Sequence, residues 1–136
     1  MYLKRIFYLA CLLLIVSCKH KPIIDTPDSG FININAANHY YSISGRGDTL
    51  IILHGGPGLS HMYMKAQIDS VLSTDFTLLF YDQRGSGWSE GENDSTKLNI
   101  QSFVNDLEEI RKHFELSKVN LLGHSFGGLL AMFYGI

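Results

Sequence analysis

"VNLLGHSFGGLLAMFYGI", residues 119–136, decides how this chain is read. The apolar run "VNLL" leads into Gly123-His124-Ser125-Phe126-Gly127, and a second apolar stretch follows at once. A serine between two glycines, entered from a buried strand and left through a helix, is the pattern of a sharp turn that presents a nucleophile. Small neighbours are needed because the backbone around such a serine is crowded. Gly-x-Ser-x-Gly alone is a weak signal in a chain with 13 glycines, and the flanking strand and helix give it its weight. No Gly-Lys-Ser/Thr follows, which argues against a phosphate-cradling loop.

Upstream, "LIIL" (50–53) and "TLLFY" (77–81) are continuous apolar runs rich in β-formers, as strands covered on both faces are. "FININ" (31–35) alternates apolar and polar, and "YYSIS" (40–44) suits its antiparallel partner. Two helical patterns separate the buried strands. Met64, Ile68, Val71 and Leu72 recur at helical spacing after a possible cap at Ser60. Ile100, Phe103, Val104, Leu107, Ile110 and Phe114 do the same after Asn99, with Glu108 and Lys112 paired on the outer side. Strands alternating with helices predict an α/β fold with a mostly parallel sheet and flanking helices. Ligands bind such sheets at the carboxyl ends of the strands.

Three loops leave from those ends: "HGGPG" (54–58), "DQRGSGWS" (82–89) and "GHSFGG" (123–128). Glycines in the first let the backbone approach a reacting centre and point an N–H into it. His54 is expected to fix its own loop by hydrogen bonding, and His124 to be a packing residue. In the second loop Gly85 and Gly87 permit a sharp course, and Asp82 and Arg84 are expected to pair. Trp88 reads either as a substrate-pocket residue or as a buried structural tryptophan.

The composition is that of a globular protein, 46% hydrophobic and 18% charged. A net charge of −2 with no basic cluster beyond residue 22 argues against nucleic acid as a partner. The N-terminus reads as an address. Lys4 and Arg5 precede an apolar run, residues 6–16, roughly half the ~20 residues of a membrane-spanning helix. Its end, "LIVSC", resembles a bacterial lipoprotein signal, so residues 1–17 are expected to be removed and Cys18 lipidated, anchoring the protein to a membrane of the cell envelope. Residues 18–30 then form the tether, and residues 31–136 the folded part. With Cys11 removed and Cys18 modified, no thiol remains for a metal site or a nucleophile, and none is expected.

Taken together, the three loops resemble the α/β-hydrolase superfamily, and within it the proline iminopeptidase (prolyl aminopeptidase) family. Gln83 within Asp82-Gln83-Arg84-Gly85-Ser86-Gly87-Trp88-Ser89 is what points to the peptidase branch; family members usually carry Trp where Phe126 stands. The resemblance implies Ser125 as nucleophile, with the backbone N–H groups of Gly56 and Phe126 forming the oxyanion hole. It implies no cofactor, and a small peptide or ester as substrate. The alternatives are a carboxylesterase or lactonase on the same fold, or a lipid-anchored binding protein without catalysis. In this superfamily the acid and histidine of the triad follow the serine. The chain is therefore expected to be the N-terminal half of a hydrolase, truncated after the nucleophile turn and inactive by itself.

Overall fold

The computed structural model describes residues 28–91 and 98–136; the signal segment expected at 1–17, Cys18 and most of the tether lie outside them. Five strands and three helices follow in the order β1 (Ser29–Ile34), β2 (Ala37–Gly45), β3 (Asp48–Leu53), α1 (Met62–Leu72), β4 (Phe76–Tyr81), α2 (Ile100–His113), β5 (Asn120–Gly123) and α3 (Phe126–Tyr134). Their single sheet has the order β1-β2-β4-β3-β5.

The apolar runs explain which strands lie deepest. Along β3, Leu50 and Ile52 face one side of the sheet while Ile51 and Leu53 face the other. Leu78 and Phe80 on β4 divide from Leu79 and Tyr81 in the same way, so both strands are covered twice. The larger core joins Ile51, Leu53, Leu79 and Tyr81 to Phe103, Leu107 and Ile110 of α2 and Leu130 of α3. On the opposite face α1 contributes Met64 over Leu50, Ile52, Leu78 and Phe80. Ile32 and Ile34 of β1 alternate with exposed Phe31 and Asn33, as a strand with one wet face must.

β3 pairs in parallel with β4 on one side and β5 on the other. β2 pairs antiparallel with both β1 and β4, so the described sheet is mixed rather than mostly parallel. The cause is the N-terminal hairpin. Asn35 and Ala36 both have positive φ (49° and 61°), the geometry of a two-residue turn that matches strand twist. That turn sets β1 antiparallel to β2, and β2 in turn lies antiparallel to β4.

α2 begins where the sequence places it: Asn99 caps it, its side chain accepting from Ser102 N at 3.1 Å, a contact typically worth ~1 kcal/mol. Its last turn carries Arg111, Lys112 and His113, favourably placed at the negative end of the helix dipole. Lys112 lies 3.8 Å from Glu108 but 2.7 Å from Glu109. Glu108 also takes Arg111 at 2.8 and 2.7 Å and the Tyr134 hydroxyl at 2.6 Å, tying α3 to α2. α1 departs further from expectation. His61, not Ser60, is its N-cap residue, and Ser60 Oγ only reaches Met62 N at 3.3 Å. Val71 is 69% exposed, whereas Met64 is buried and Ile68 and Leu72 pack partly buried on the same core. Among the described residues no helix is long and apolar enough to cross a membrane.

Candidate active site

The carboxyl ends of β3, β4 and β5 meet at the point where the chain leaves β3 for one neighbour and later returns to the other, the crevice where α/β sheets bind ligands. β5 ends at Gly123, and His124 N donates to Leu53 O at 3.0 Å. Ser125 then adopts φ 53°, ψ −116°, outside the regions an L-residue ordinarily occupies. Such a conformation costs on the order of 1–3 kcal/mol and persists only when its surroundings impose it. The surroundings are visible. Gly127 N returns to His124 O at 2.9 Å, and Ser125 O accepts from Gly128 N at 2.9 Å and Leu129 N at 3.2 Å. A Cβ on Gly127 would strike the Leu53 carbonyl, and one on Gly123 would strike the Gly127 carbonyl. Both glycines of the motif are therefore steric necessities. Ser125 is exposed at the tip of the turn, and the Phe126 N–H has no partner among the described residues.

The loop after β3 lies against this turn. A Cβ on Gly55 would sit 3.3 Å from Ser125 Cβ. Gly56 and Gly58 take φ of 127° and 91°, and Gly56 precedes Pro57 through a cis peptide. His54 is fully buried, with Nδ1 donating to Gly55 O at 2.7 Å and Nε2 accepting from Gln83 N at 3.0 Å. That pair of contacts requires the neutral ring, and burial pushes its pKa below the ordinary value. His54 thus fixes its own loop and is closed to proton transfer. The Gly56 N–H has no partner among the described residues, and the residue before it, Gly55, is the one that approaches the serine.

The loop after β4 braces the first. Gln83 Nε2 donates to His54 O at 2.7 Å, and Ser86 Oγ accepts from Gly58 N at 3.0 Å. The glutamine that distinguishes this motif in the sequence is therefore a cross-link between two strand ends. Asp82 and Arg84 do not pair as expected. The Asp82 carboxylate accepts from His61 N (2.8 Å), His61 Nδ1 (2.9 Å) and Trp88 N (2.9 Å). Burial alone would raise its pKa, but these hydrogen bonds outweigh it and hold the carboxyl below its usual value. Gly87, at φ 54°, wraps so closely around this carboxylate that a Cβ would collide with it. Arg84 turns the other way, to Asp106 on α2, with Nε to Oδ2 at 2.9 Å and Nη2 to Oδ1 at 2.7 Å. Asn35 Nδ2 reaches the same carboxylate at 2.9 Å. Neighbours in sequence are too constrained by the turn to face each other, so each finds a partner on another element.

Trp88 is 56% exposed, edge-on to Tyr40 at 4.5 Å, and so is not a buried structural residue. Nor does it line the apolar cavity of about 160 Å³ beside the turn, whose walls include Pro57, Gly85, Leu98, Ile100, Phe103 and Phe126. His124 is exposed and hydrogen-bonded rather than packed: its Nδ1 lies 2.7 Å from the Tyr63 hydroxyl. Sequence reasoning missed Tyr63, His61, Ser86 and Asp106. Only Asp106 had left a trace, as an acid on the apolar stripe of α2 between Phe103 and Leu107. Among the described residues no group of His, Cys, Asp or Glu is placed to hold a metal ion.

A strained serine turn at the switch point of an α/β sheet, faced by a glycine loop with an open N–H, defines the nucleophile-turn class of α/β proteins. The chain belongs to the alpha/beta hydrolase fold family, whose profile matches residues 48–136. It is 39% identical over 113 residues to a proline iminopeptidase of Saccharolobus solfataricus, covering 80% of this chain and 36% of that protein. The crystal structure of a proline iminopeptidase-related protein from Thermus thermophilus superposes with a TM-score of 0.74 at 28% identity, over 78% of this chain and 39% of that one. An epoxide hydrolase from Vigna radiata superposes with a TM-score of 0.71 at 22% identity, over 78% and 34%, and shares the fold. The chain thus spans little more than a third of the length of the relatives it matches.

Proposed function

We propose that the protein is a serine hydrolase acting as an aminopeptidase of proline iminopeptidase type, cleaving N-terminal residues from small peptides through an acyl-enzyme. The observation that carries the reading is the Ser125 backbone, held at φ 53° between two glycines that tolerate no side chain, with unpartnered N–H groups at Phe126 and, on the facing loop, at Gly56. The peptidase assignment draws its support from the proline iminopeptidase relatives.

In this reading Ser125 Oγ attacks the substrate carbonyl while a histidine takes its proton. The oxyanion is held by the N–H groups of Phe126 and Gly56, each such donor being typically worth ~2.7–4 kcal/mol of barrier. The histidine returns the proton to the leaving amine, and water releases the acyl group. His54 cannot serve, since both ring nitrogens are engaged, and His61 is buried against Asp82. In the superfamily's order this histidine follows the serine in the chain. Trp88, exposed on the loop after β4, is assigned a contact with the substrate as part of this proposal. In the full-length protein a fluorophosphonate probe should label Ser125, and prolyl-p-nitroanilide should be turned over. Ser125→Ala should lose labelling and at least about 10⁴-fold of turnover. Wild-type hydrolysis by that variant would refute the nucleophile.

We also propose that Cys18 is lipidated and holds the hydrolase at a membrane of the cell envelope, on the evidence of "LIVSC" after a short apolar run. A fatty-acid probe should label the wild type in a bacterial host and not Cys18→Ala; equal labelling of both would overturn this.

A further inference from the structure

Tyr63, on the first turn of α1, belongs to neither motif loop, yet its hydroxyl touches both. It accepts the Gly55 N–H at 2.7 Å and lies 2.7 Å from His124 Nδ1. A hydroxyl has one proton and two lone pairs. Accepting from Gly55, it donates to His124 in the tautomer that carries the ring proton on Nε2. The rings meet edge-on at 5.7 Å, and the tyrosine is 43% exposed, so this contact is not a by-product of core packing. Gly55 is also where the loop comes nearest the nucleophile: a Cβ there would lie 2.9 Å from the Tyr63 hydroxyl, 3.0 Å from His124 Nδ1 and 3.3 Å from Ser125 Cβ.

We propose that Tyr63 is a positioning residue for the oxyanion hole, a latch that fixes the Gly56 donor relative to the Phe126 donor. The two donors belong to different strand ends. Gln83 and Ser86 brace the glycine loop against the β4 loop, but neither contacts the serine turn. Tyr63 joins the residue before the Gly56 donor to the residue before Ser125. It also engages the Gly55 amide, while the next amide, Gly56 N–H, has no partner among the described residues. Donors must lie within about 2.7–3.1 Å of the developing oxyanion, and a misplacement of ~1 Å can cost about 10²-fold in rate. Loss of the latch therefore falls on the chemical step and not on substrate capture.

This inference rests on Ser125 acting as nucleophile, and its test separates the two. In full-length protein, Tyr63→Phe should lower kcat about ten- to a hundredfold, with KM within about twofold and unfolding temperature close to wild type. The loss should appear equally with prolyl-p-nitroanilide and p-nitrophenyl acetate, because both form the same oxyanion. His124→Ala should lower kcat similarly, and the double variant should be no worse than either alone, as one unit requires. Hydrogen exchange of the Gly55 amide reads the latch without any catalysis and should quicken in Tyr63→Phe. Unchanged kcat or unchanged Gly55 exchange in Tyr63→Phe would overturn the latch, as would additive losses in the double variant. A Ser125→Ala protein that still turned over substrate would refute the nucleophile instead, leaving the exchange result to stand by itself.

Discussion

At Ser125 the chain adopts a backbone that side chains ordinarily avoid, and the glycine two residues on decides whether it can. Gly127 and Gly128 look equivalent in sequence but are not. A methyl on Gly127 meets the Leu53 carbonyl, whereas one on Gly128 has its nearest atom, Gly123 O, at an ordinary 3.5 Å. Gly127→Ala should destabilise the full-length protein by about 1–3 kcal/mol in thermal or denaturant unfolding. Gly128→Ala, inside α3, should be neutral or stabilise by up to ~1 kcal/mol. Gly56 is subject to a different constraint: at φ 127° any β-branched side chain is strained, so Gly56→Val should displace its N–H and lower kcat about 10²- to 10³-fold. His54 provides the pH dependence. Burial lowers its pKa in the folded state from the ordinary 6.5, as it does for His39, so the unfolded chain binds the more protons on acidification. The stability these neutral rings contribute is present above about pH 6.5 and is lost as pH falls through their lowered values, so unfolding temperature should decline from about pH 7 to about pH 5. A flat profile would contradict the neutral, doubly bonded ring. Ser125 and its glycines were legible in the sequence because the motif is local. Tyr63 was not, since nothing in its spacing records a partner 61 residues away.

Among the elements, the apolar runs located β3 and β4, because a strand buried on both faces must be apolar throughout, whereas β2 begins at Ala37, ahead of the expected Tyr40. The sheet's mixed character was less legible: the alternation in "FININ" identifies a hairpin strand but not which buried strand the hairpin will join. α2 was the clearest element, having a cap, a stripe and a basic end, while the stripe of α1 held for Met64, Ile68 and Leu72 but not for Val71. The acid in the α2 stripe is where the elements are tied together. Asp106, 1% exposed, holds Arg84 from the β4 loop and Asn35 from the β1–β2 turn. Asp106→Ala removes the carboxylate from a buried guanidinium and should cost about 3 kcal/mol or more in unfolding free energy, with Asp106→Asn losing less. The β4 loop should then loosen, so Ser125 labelling should slow in step with the lost stability.

For the molecule as a whole, the described sheet ends in an antiparallel hairpin strand, β1, on one side and in the parallel strand β5 on the other. β5 has β3 on its inner edge and no strand on its outer edge among the described residues. Leu129 (40%), Met132 (63%) and Phe133 (48%) of α3 face solvent beside it. An open parallel edge next to exposed apolar side chains invites pairing with another chain. Residues 28–136 produced by themselves should therefore self-associate and show no cooperative unfolding; a soluble monomer with a sharp transition would contradict this. The position of β3 between β4 and β5 has a consequence for biosynthesis. β4 follows β3 closely in the chain, whereas β5 begins only at residue 120. At ~5–20 residues per second, a ribosome delivers the β3–β4 pair, with its glycine loop and brace, a few seconds before the serine turn emerges. The serine turn thus meets a neighbour synthesised before it, and the Leu53 carbonyl that will press on Gly127 is made before Gly127 exists.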